Sequence, residues 1–102
     1  MKMLHIVNKS PFEKNSLESC ARLSKSGSCI LLIEDGVYGA LVDSETNEMI
    51  QSCLRDRSVY VLGEDIQARG IQREQLVMGI EVVDYAGFVK LTVEHDKVQS
   101  WL

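Results

Sequence analysis

The residues of this sequence best suited to covalent chemistry are its three cysteines, Cys20, Cys29 and Cys53. A cysteine thiolate is a strong nucleophile, and it is the only nucleophile here that can carry a sulfur atom as a persulfide. An odd number of cysteines without Cys-x-x-Cys spacing predicts neither a disulfide framework nor a thioredoxin-type redox site. The spacing therefore indicates reduced thiols, which are typical of the cytoplasm.

Cys20 is the candidate catalytic residue among the three. It lies about one turn into a predicted first helix, close enough for the helix N-terminus to favour its thiolate by roughly 0.3–1 kcal/mol. That energy corresponds to well under one pKa unit, so the helix alone makes a modest nucleophile. Cys29 lies in a continuous apolar run and Cys53 near the end of an amphipathic helix, and both are expected to fill the core.

Reactivity of Cys20 requires exposure and a positively charged neighbour. The nearby cations are Lys14, Arg22 and Lys25. The alternative is that Cys20 also fills the core, because it shares an apolar stripe with Leu17 and Leu23. The residues alone leave both interpretations open.

No metal or cofactor site is predicted. His5 and His95 have no companions at ligand spacing, so each is expected to be a partly buried, hydrogen-bonded side chain. No Gly-x-Gly-x-x-Gly or P-loop segment follows a predicted strand, which argues against a nucleotide cofactor. Residues 8–11, the first predicted strand-to-helix turn, lack the clustered acids that hold magnesium in phosphorelay receivers.

Short apolar runs alternate with amphipathic stretches, the pattern of a repeating βα domain. The predicted strands are residues 4–7, 29–33, 59–62 and 80–83, and residues 98–102 form either a short final strand or a packed tail. The predicted helices are residues 15–25, 37–41, 46–54, 64–69 and a last one capped by Asp84. This order predicts a three-layer α/β/α sandwich on a mostly parallel sheet, in a single domain spanning residues 1–102. Because a small sheet has exposed edges, an oligomer is favoured.

Charge and hydropathy exclude two classes of partner. The net charge is −4, with 11 basic residues scattered among 15 acids. A nucleic-acid binder needs a clustered positive surface, so no direct contact with nucleic acid is expected. The start does not resemble a secretory signal, and the longest apolar run, residues 30–33, is too short to cross a bilayer. We therefore expect a cytoplasmic protein without membrane contact.

Segments in order along nearly the whole chain resemble the TusB/DsrH family. They are Leu4-His5 with Ser10-Pro11, Asp35-Gly36-Val37 with Ala40, Asp65 with Ala68-Arg69-Gly70, and Asp84-Tyr85 with Phe88-Val89 and the final Trp101. The resemblance implies a DsrE/DsrF-like sandwich built on a five-stranded sheet.

The resemblance also implies a place in a sulfurtransferase complex. Family members are subunits of a heterohexamer that passes persulfide sulfur between protein cysteines. The implied partners are DsrE/TusD-like and DsrF/TusC-like subunits, two copies of each chain, and a DsrC/TusE-like sulfur acceptor. The main persulfide cysteine is implied to lie on the DsrE/TusD-like chain, so turnover by the present chain stays open.

Two pathways use such complexes. DsrH-type complexes act in intracellular sulfur oxidation, and TusB-type complexes relay sulfur to 2-thiouridine at the tRNA wobble position. DsrH chains carry a cysteine in the first helix, and residues 15–20 resemble that version closely. The sequence therefore favours a DsrH-like subunit with Cys20 as persulfide carrier. The alternatives are a TusB-like subunit and a purely structural subunit that carries no sulfur.

Overall fold

The computed structural model describes residues 3–101, and it contains one sheet of five parallel strands. The strands are β1 (Met3–Val7), β2 (Cys29–Leu32), β3 (Ser58–Leu62), β4 (Glu81–Val83) and β5 (Lys97–Trp101). Their spatial order is β4-β3-β2-β1-β5, and every neighbouring pair is parallel. The predicted five-stranded, mostly parallel sheet is confirmed.

Four α-helices connect the strands: α1 (Ser16–Leu23), α2 (Asn47–Leu54), α3 (Gly63–Ala68) and α4 (Tyr85–Glu94). The segment predicted as a helix at residues 37–41 is instead a 3₁₀ helix that begins earlier, Glu34–Ala40. Helix α1 ends at Leu23 rather than near residue 25, and its N-cap residue, Asn15, makes no side-chain cap hydrogen bond. A second short 3₁₀ helix covers Arg73–Gln75.

The chain moves outward from β1 to β4 in one direction, so right-handed crossovers place α1, α2 and α3 on the same face. We call this side, with the 3₁₀ helix Glu34–Ala40, the helix-rich face. Its core contains alternate residues of the three central strands together with helix residues. The fully buried members are Val7, Leu17, Cys20, Ile30, Leu32, Val37, Ala40, Ile50, Cys53, Val59 and Val61.

The opposite side, which we call the single-helix face, is covered by α4 as the chain returns from β4 to β5. Its buried cluster is smaller and consists of Leu4, Ile6, Leu31 and Leu91. Three residues on the outer side of α4, spaced four apart, stay exposed: Tyr85 by 63%, Val89 by 47% and Val93 by 78%. We call these three residues the α4 stripe.

The turns at the carboxyl ends of β2 and β3 are tied together by acidic side chains. Arg69 donates to Asp35 Oδ1 from Nε (3.1 Å) and Nη2 (2.9 Å). Asp65 accepts a 2.6 Å hydrogen bond from the backbone N–H of Glu34, which has a positive φ of 49°. At Gly36 a Cβ would collide with the carbonyl oxygen of Val7. These contacts give the family-like Asp-Gly and Ala-Arg-Gly segments a structural role.

Candidate functional site

Cys20 lies on the inner side of α1, facing α2 across the helix-rich face. Its side chain is 0% exposed, and it belongs to the same apolar cluster as Leu17 and Cys53. The side of α1 that faces the core carries its buried residues, Ser16, Leu17 and Cys20, while Glu18 and Arg22 face outward. Of the apolar stripe noted in the sequence, Leu17 and Cys20 therefore pack inside, whereas Leu23 is exposed.

Burial raises the pKa of the Cys20 thiol to about 12, and the neighbouring Cys53 contributes in the same direction. Two groups oppose the rise: the positive charge of Arg57 and a hydrogen bond with the Ser24 side chain. A thiol with that pKa is ionised in only about one molecule in 10⁵ at pH 7. In this conformation Cys20 is thus a protonated core residue.

The cation near Cys20 is Arg57, rather than Lys14, Arg22 or Lys25. Its side chain is 11% exposed and lies against the end of α1. The Nη1 atom donates to the carbonyl oxygen of Ala21 and to Ser24 Oγ, both at 2.7 Å. A guanidinium at a helix C-terminus satisfies carbonyl groups that have no partner within the helix.

The other two cysteines differ in exposure. Cys53, on α2, is 1% exposed, and burial raises the pKa of its thiol, which Arg57 opposes. Cys29 begins β2 and points to the single-helix face, where it packs beside Tyr60 and is partly exposed. Among the three thiols, the most accessible is Cys29, which the sequence predicted to be a core residue.

No signal in the sequence indicated that His5 lies near Arg57 and the Cys20 region. It lies in the middle of β1 on the helix-rich face, is 3% exposed, and its Nδ1 accepts a 3.0 Å hydrogen bond from Trp101 Nε1. His95 instead contacts the Leu91 carbonyl oxygen through Nδ1 at 2.6 Å. Within residues 3–101, no group of three or more His, Cys, Asp or Glu side chains is placed to hold a metal ion.

Comparison with known proteins identifies the family. A family model described as "DsrH like protein" matches residues 9–98. The chain belongs to the DsrH-like family. Curated relatives of this family member are named Protein TusB: those of Pectobacterium parmentieri and Klebsiella pneumoniae are each 34% identical, and that of Yersinia pestis strain Pestoides F is 35% identical. Each match covers 97% of this chain and all of the relative.

Solved structures share the fold of this DsrH-like chain. The ychN protein from E. coli superposes with a TM-score of 0.88 at 21% identity, covering 98% of both chains. Protein MTH1491 from Methanobacterium thermoautotrophicum superposes with a TM-score of 0.69 at 17% identity, covering 96% of both chains. In the part of the chain that the structure describes, the longest helix, α4, is too short to span a bilayer.

The family assignment confirms the TusB/DsrH resemblance and with it the general role of a sulfur-relay subunit. The assignment of Cys20 as persulfide carrier stays a prediction. The structure places Arg57 and Ser24 beside Cys20 and keeps the Cys20 thiol away from solvent, so sulfur transfer at this thiol would require the helix-rich face to open.

Proposed function

We propose that this chain is a cytoplasmic subunit of a hetero-oligomeric sulfur relay that serves 2-thiolation of the tRNA wobble uridine. The observation that carries the proposal is the match, along 97% of the chain, to proteins named TusB at 34–35% identity. The interpretation as a DsrH-like subunit depends on Cys20 as a persulfide carrier, and the burial of that thiol weakens this interpretation.

In this proposal the chain acts through assembly. Its partners are DsrE/TusD-like and DsrF/TusC-like subunits in a 2:2:2 heterohexamer, which delivers sulfur to a DsrC/TusE-like acceptor. The α4 stripe supports a subunit role, because contiguous exposed apolar side chains on a small domain are typical of interaction surfaces. The chain itself contacts no tRNA, in keeping with its net charge of −4.

A second candidate, the DsrH-type carrier of sulfur oxidation, is favoured by one local feature. Arg57 and Ser24 both lower the pKa of Cys20, which is what a persulfide-bearing thiolate needs once burial is relieved. In that case a partner subunit would have to displace α1 or α2 from the helix-rich face. Cys20 would then become both exposed and partly ionised.

Deletion of the gene in its native cell separates the two candidates. The measurement is the fraction of 2-thiouridine among tRNA nucleosides, determined by liquid chromatography and mass spectrometry. Loss of this nucleoside, restored by the wild-type chain, is expected for the TusB-type role. Unchanged 2-thiouridine, with a defect in oxidation of stored sulfur, would favour the DsrH-type role instead.

Two matched substitutions then ask whether Cys20 carries sulfur. Cys20→Ala and Cys53→Ala remove neighbouring buried thiols from one apolar cluster, so their structural costs should be similar. A subunit that acts through assembly should tolerate both changes equally. If Cys20 carries sulfur, Cys20→Ala alone abolishes the activity while the complex still co-purifies.

A further inference from the structure

A cleft of about 410 Å³ lies at the open β5 edge of the sheet, on the helix-rich face. Its floor comes from β1 and β5, and its rim from the end of α1 and the loop that leads to β2. The lining residues are Met3, His5, Leu23, Ser24, Lys25, Ser26, Ser28, Gln99 and Trp101. This volume falls within the range of small-molecule sites, roughly 300–1,000 Å³.

His5 supplies a buried hydrogen-bond donor to this cleft. Because the indole N–H of Trp101 can only donate, the Nδ1 atom that receives it must be unprotonated. The neutral ring therefore carries its proton on Nε2. Burial lowers the pKa of His5, and the charge of Arg57 lowers it further, so the ring is neutral at pH 7. Within residues 3–101 the structure records no hydrogen bond to Nε2, and this atom is not sealed off, since the buried side-chain polar atom without a partner in those residues is Asn8 Oδ1.

The serine hydroxyls around His5 are already engaged. Ser28 Oγ donates to the Lys25 carbonyl oxygen, and Ser26 Oγ donates to Asp56 Oδ2 at 2.6 Å. Ser24 Oγ accepts from Arg57, and the Ser24 hydroxyl is also hydrogen-bonded with the Cys20 side chain. The donor groups left facing the cleft are thus the Nε2–H of His5, the exposed ammonium of Lys25 and the exposed Gln99 amide.

The charge around the cleft is positive. Lys25 stands at its rim, and Arg57 lies close enough behind it to lower the pKa of His5. The nearest acid, Asp56, is held by Ser26 and by a 2.9 Å ion pair with Arg57. Lys25 forms no ion pair with any residue from 3 to 101, so an anionic group entering the cleft would meet this cation and one neutral N–H donor.

The remaining wall of the cleft is apolar and incompletely covered. Leu23 is 61% exposed, and Met3 and Trp101 are partly exposed. We propose that this cleft binds an apolar group that carries a carboxylate. The carboxylate would accept from His5 Nε2–H and Lys25, and the apolar group would cover Leu23 and the indole of Trp101. Either a free carboxylic acid or the C-terminal residue of a peptide has this chemistry.

Trp101 is the only tryptophan of the chain, so its fluorescence reports directly on the cleft. The full-length chain is titrated at constant ionic strength with 4-methylpentanoate, its amide, and 4-methylpentan-1-amine. The carboxylate is expected to change the emission saturably, with half-saturation in the millimolar range typical of so small a ligand (about 1 mM). The amide should bind several-fold more weakly, and the amine should not bind.

Exposed lysines provide a matched pair of variants that should not disturb folding. Lys25→Glu is expected to weaken carboxylate binding at least fivefold, whereas Lys90→Glu on α4 should leave it unchanged. His5→Gln, with His95→Gln as its control, tests the buried donor in the same way. Equal binding of carboxylate and amine, or no effect of Lys25→Glu, would overturn the proposal.

A third arm separates the two sources of the carboxylate. Acetyl-Gly-Gly-Leu with a free C-terminus is compared with its C-terminal amide and with 4-methylpentanoate. Tighter binding of the free-acid peptide than of 4-methylpentanoate assigns the cleft to a polypeptide C-terminus. The reverse order assigns it to a small acid, and either result requires the carboxylate.

Discussion

On the helix-rich face, three α-helices and a 3₁₀ helix cover the sheet and bury the side chains of its central strands β2 and β3, whereas in the described residues α4 alone covers the single-helix face. The first face contains Cys20 and Cys53, both removed from solvent, and the second contains Cys29, which is partly exposed. The difference indicates that the helix-rich face is covered largely within the chain, while the single-helix face leaves the apolar α4 stripe exposed. A relay subunit of this kind would contribute surface rather than a reactive thiol.

The largest expected difference between the faces is in stability. Leu17→Ala on α1 removes a fully buried side chain that fills the space over Gly39, and should lower the free energy of unfolding by about 2–5 kcal/mol. Val93→Ala on the α4 stripe should change it by no more than about 0.5 kcal/mol. Urea denaturation at low protein concentration measures both. Similar losses at the two positions would remove the distinction between the faces.

A smaller effect is expected from Arg57, which holds the end of α1 on the helix-rich face. Arg57→Ala removes its hydrogen bonds to Ala21 and Ser24 and should cost about 1–3 kcal/mol. The exposed Arg55, two residues earlier, gives the control, since Arg55→Ala should be nearly neutral. If the two substitutions have the same effect in urea denaturation, the hydrogen bonds from Arg57 to the end of α1 contribute nothing to stability.

The smallest effect concerns pH and His5. Burial and Arg57 lower its pKa in the folded chain below the ordinary value of 6.5. As the pH falls, His5 therefore binds a proton first in the unfolded chain. The contribution of neutral His5 to the free energy of unfolding is complete above about pH 6.5 and declines from there to the pKa of the folded chain. The slope from one group cannot exceed about 1.4 kcal/mol per pH unit.

The test is a measurement of the free energy of unfolding of the wild-type chain and its variants at several pH values between 7.5 and 5. His5→Gln should flatten the dependence in that interval. A wild-type chain that becomes more stable as the pH falls through this interval would contradict the assignment of a neutral His5. In the nuclear magnetic resonance spectrum, the single indole N–H signal of Trp101 should shift when His5 is protonated.

Local sequence signals predicted the sheet well, because each strand is marked by residues close together in the chain. Ile30, Leu31 and Leu32 form a continuous apolar run, and the structure buries them alternately on the two faces. On α4, by contrast, apolar residues lie on both sides of the helix, and Leu91 is buried while Val89 and Val93 stay exposed. A strand buried on both sides needs apolar residues at every position, and such a continuous run is easily recognised in a sequence.

The surroundings of Cys20 and His5 could not be predicted in the same way. Arg57 reaches Ala21 and Ser24 from beyond α2, and Trp101 reaches His5 from the opposite end of the chain. Such contacts depend on strand order, which places β5 beside β1 and is not encoded by residue spacing. Sequence proximity therefore suggested Lys14, Arg22 and Lys25 as the neighbours of Cys20, and none of these is the cation that acts on it.

The most direct test of this account is the rate at which each cysteine is alkylated by iodoacetamide, measured by mass spectrometry of the peptides. In the isolated chain, Cys29 is expected to react first, and Cys20 and Cys53 only at the rate at which the helix-rich face opens. In the complex with its co-purified partners, Cys29 should be protected and Cys20 should stay unreactive. Rapid alkylation of Cys20 in the complex, with Cys29 unchanged, would contradict the account and identify Cys20 as the thiol presented to partners.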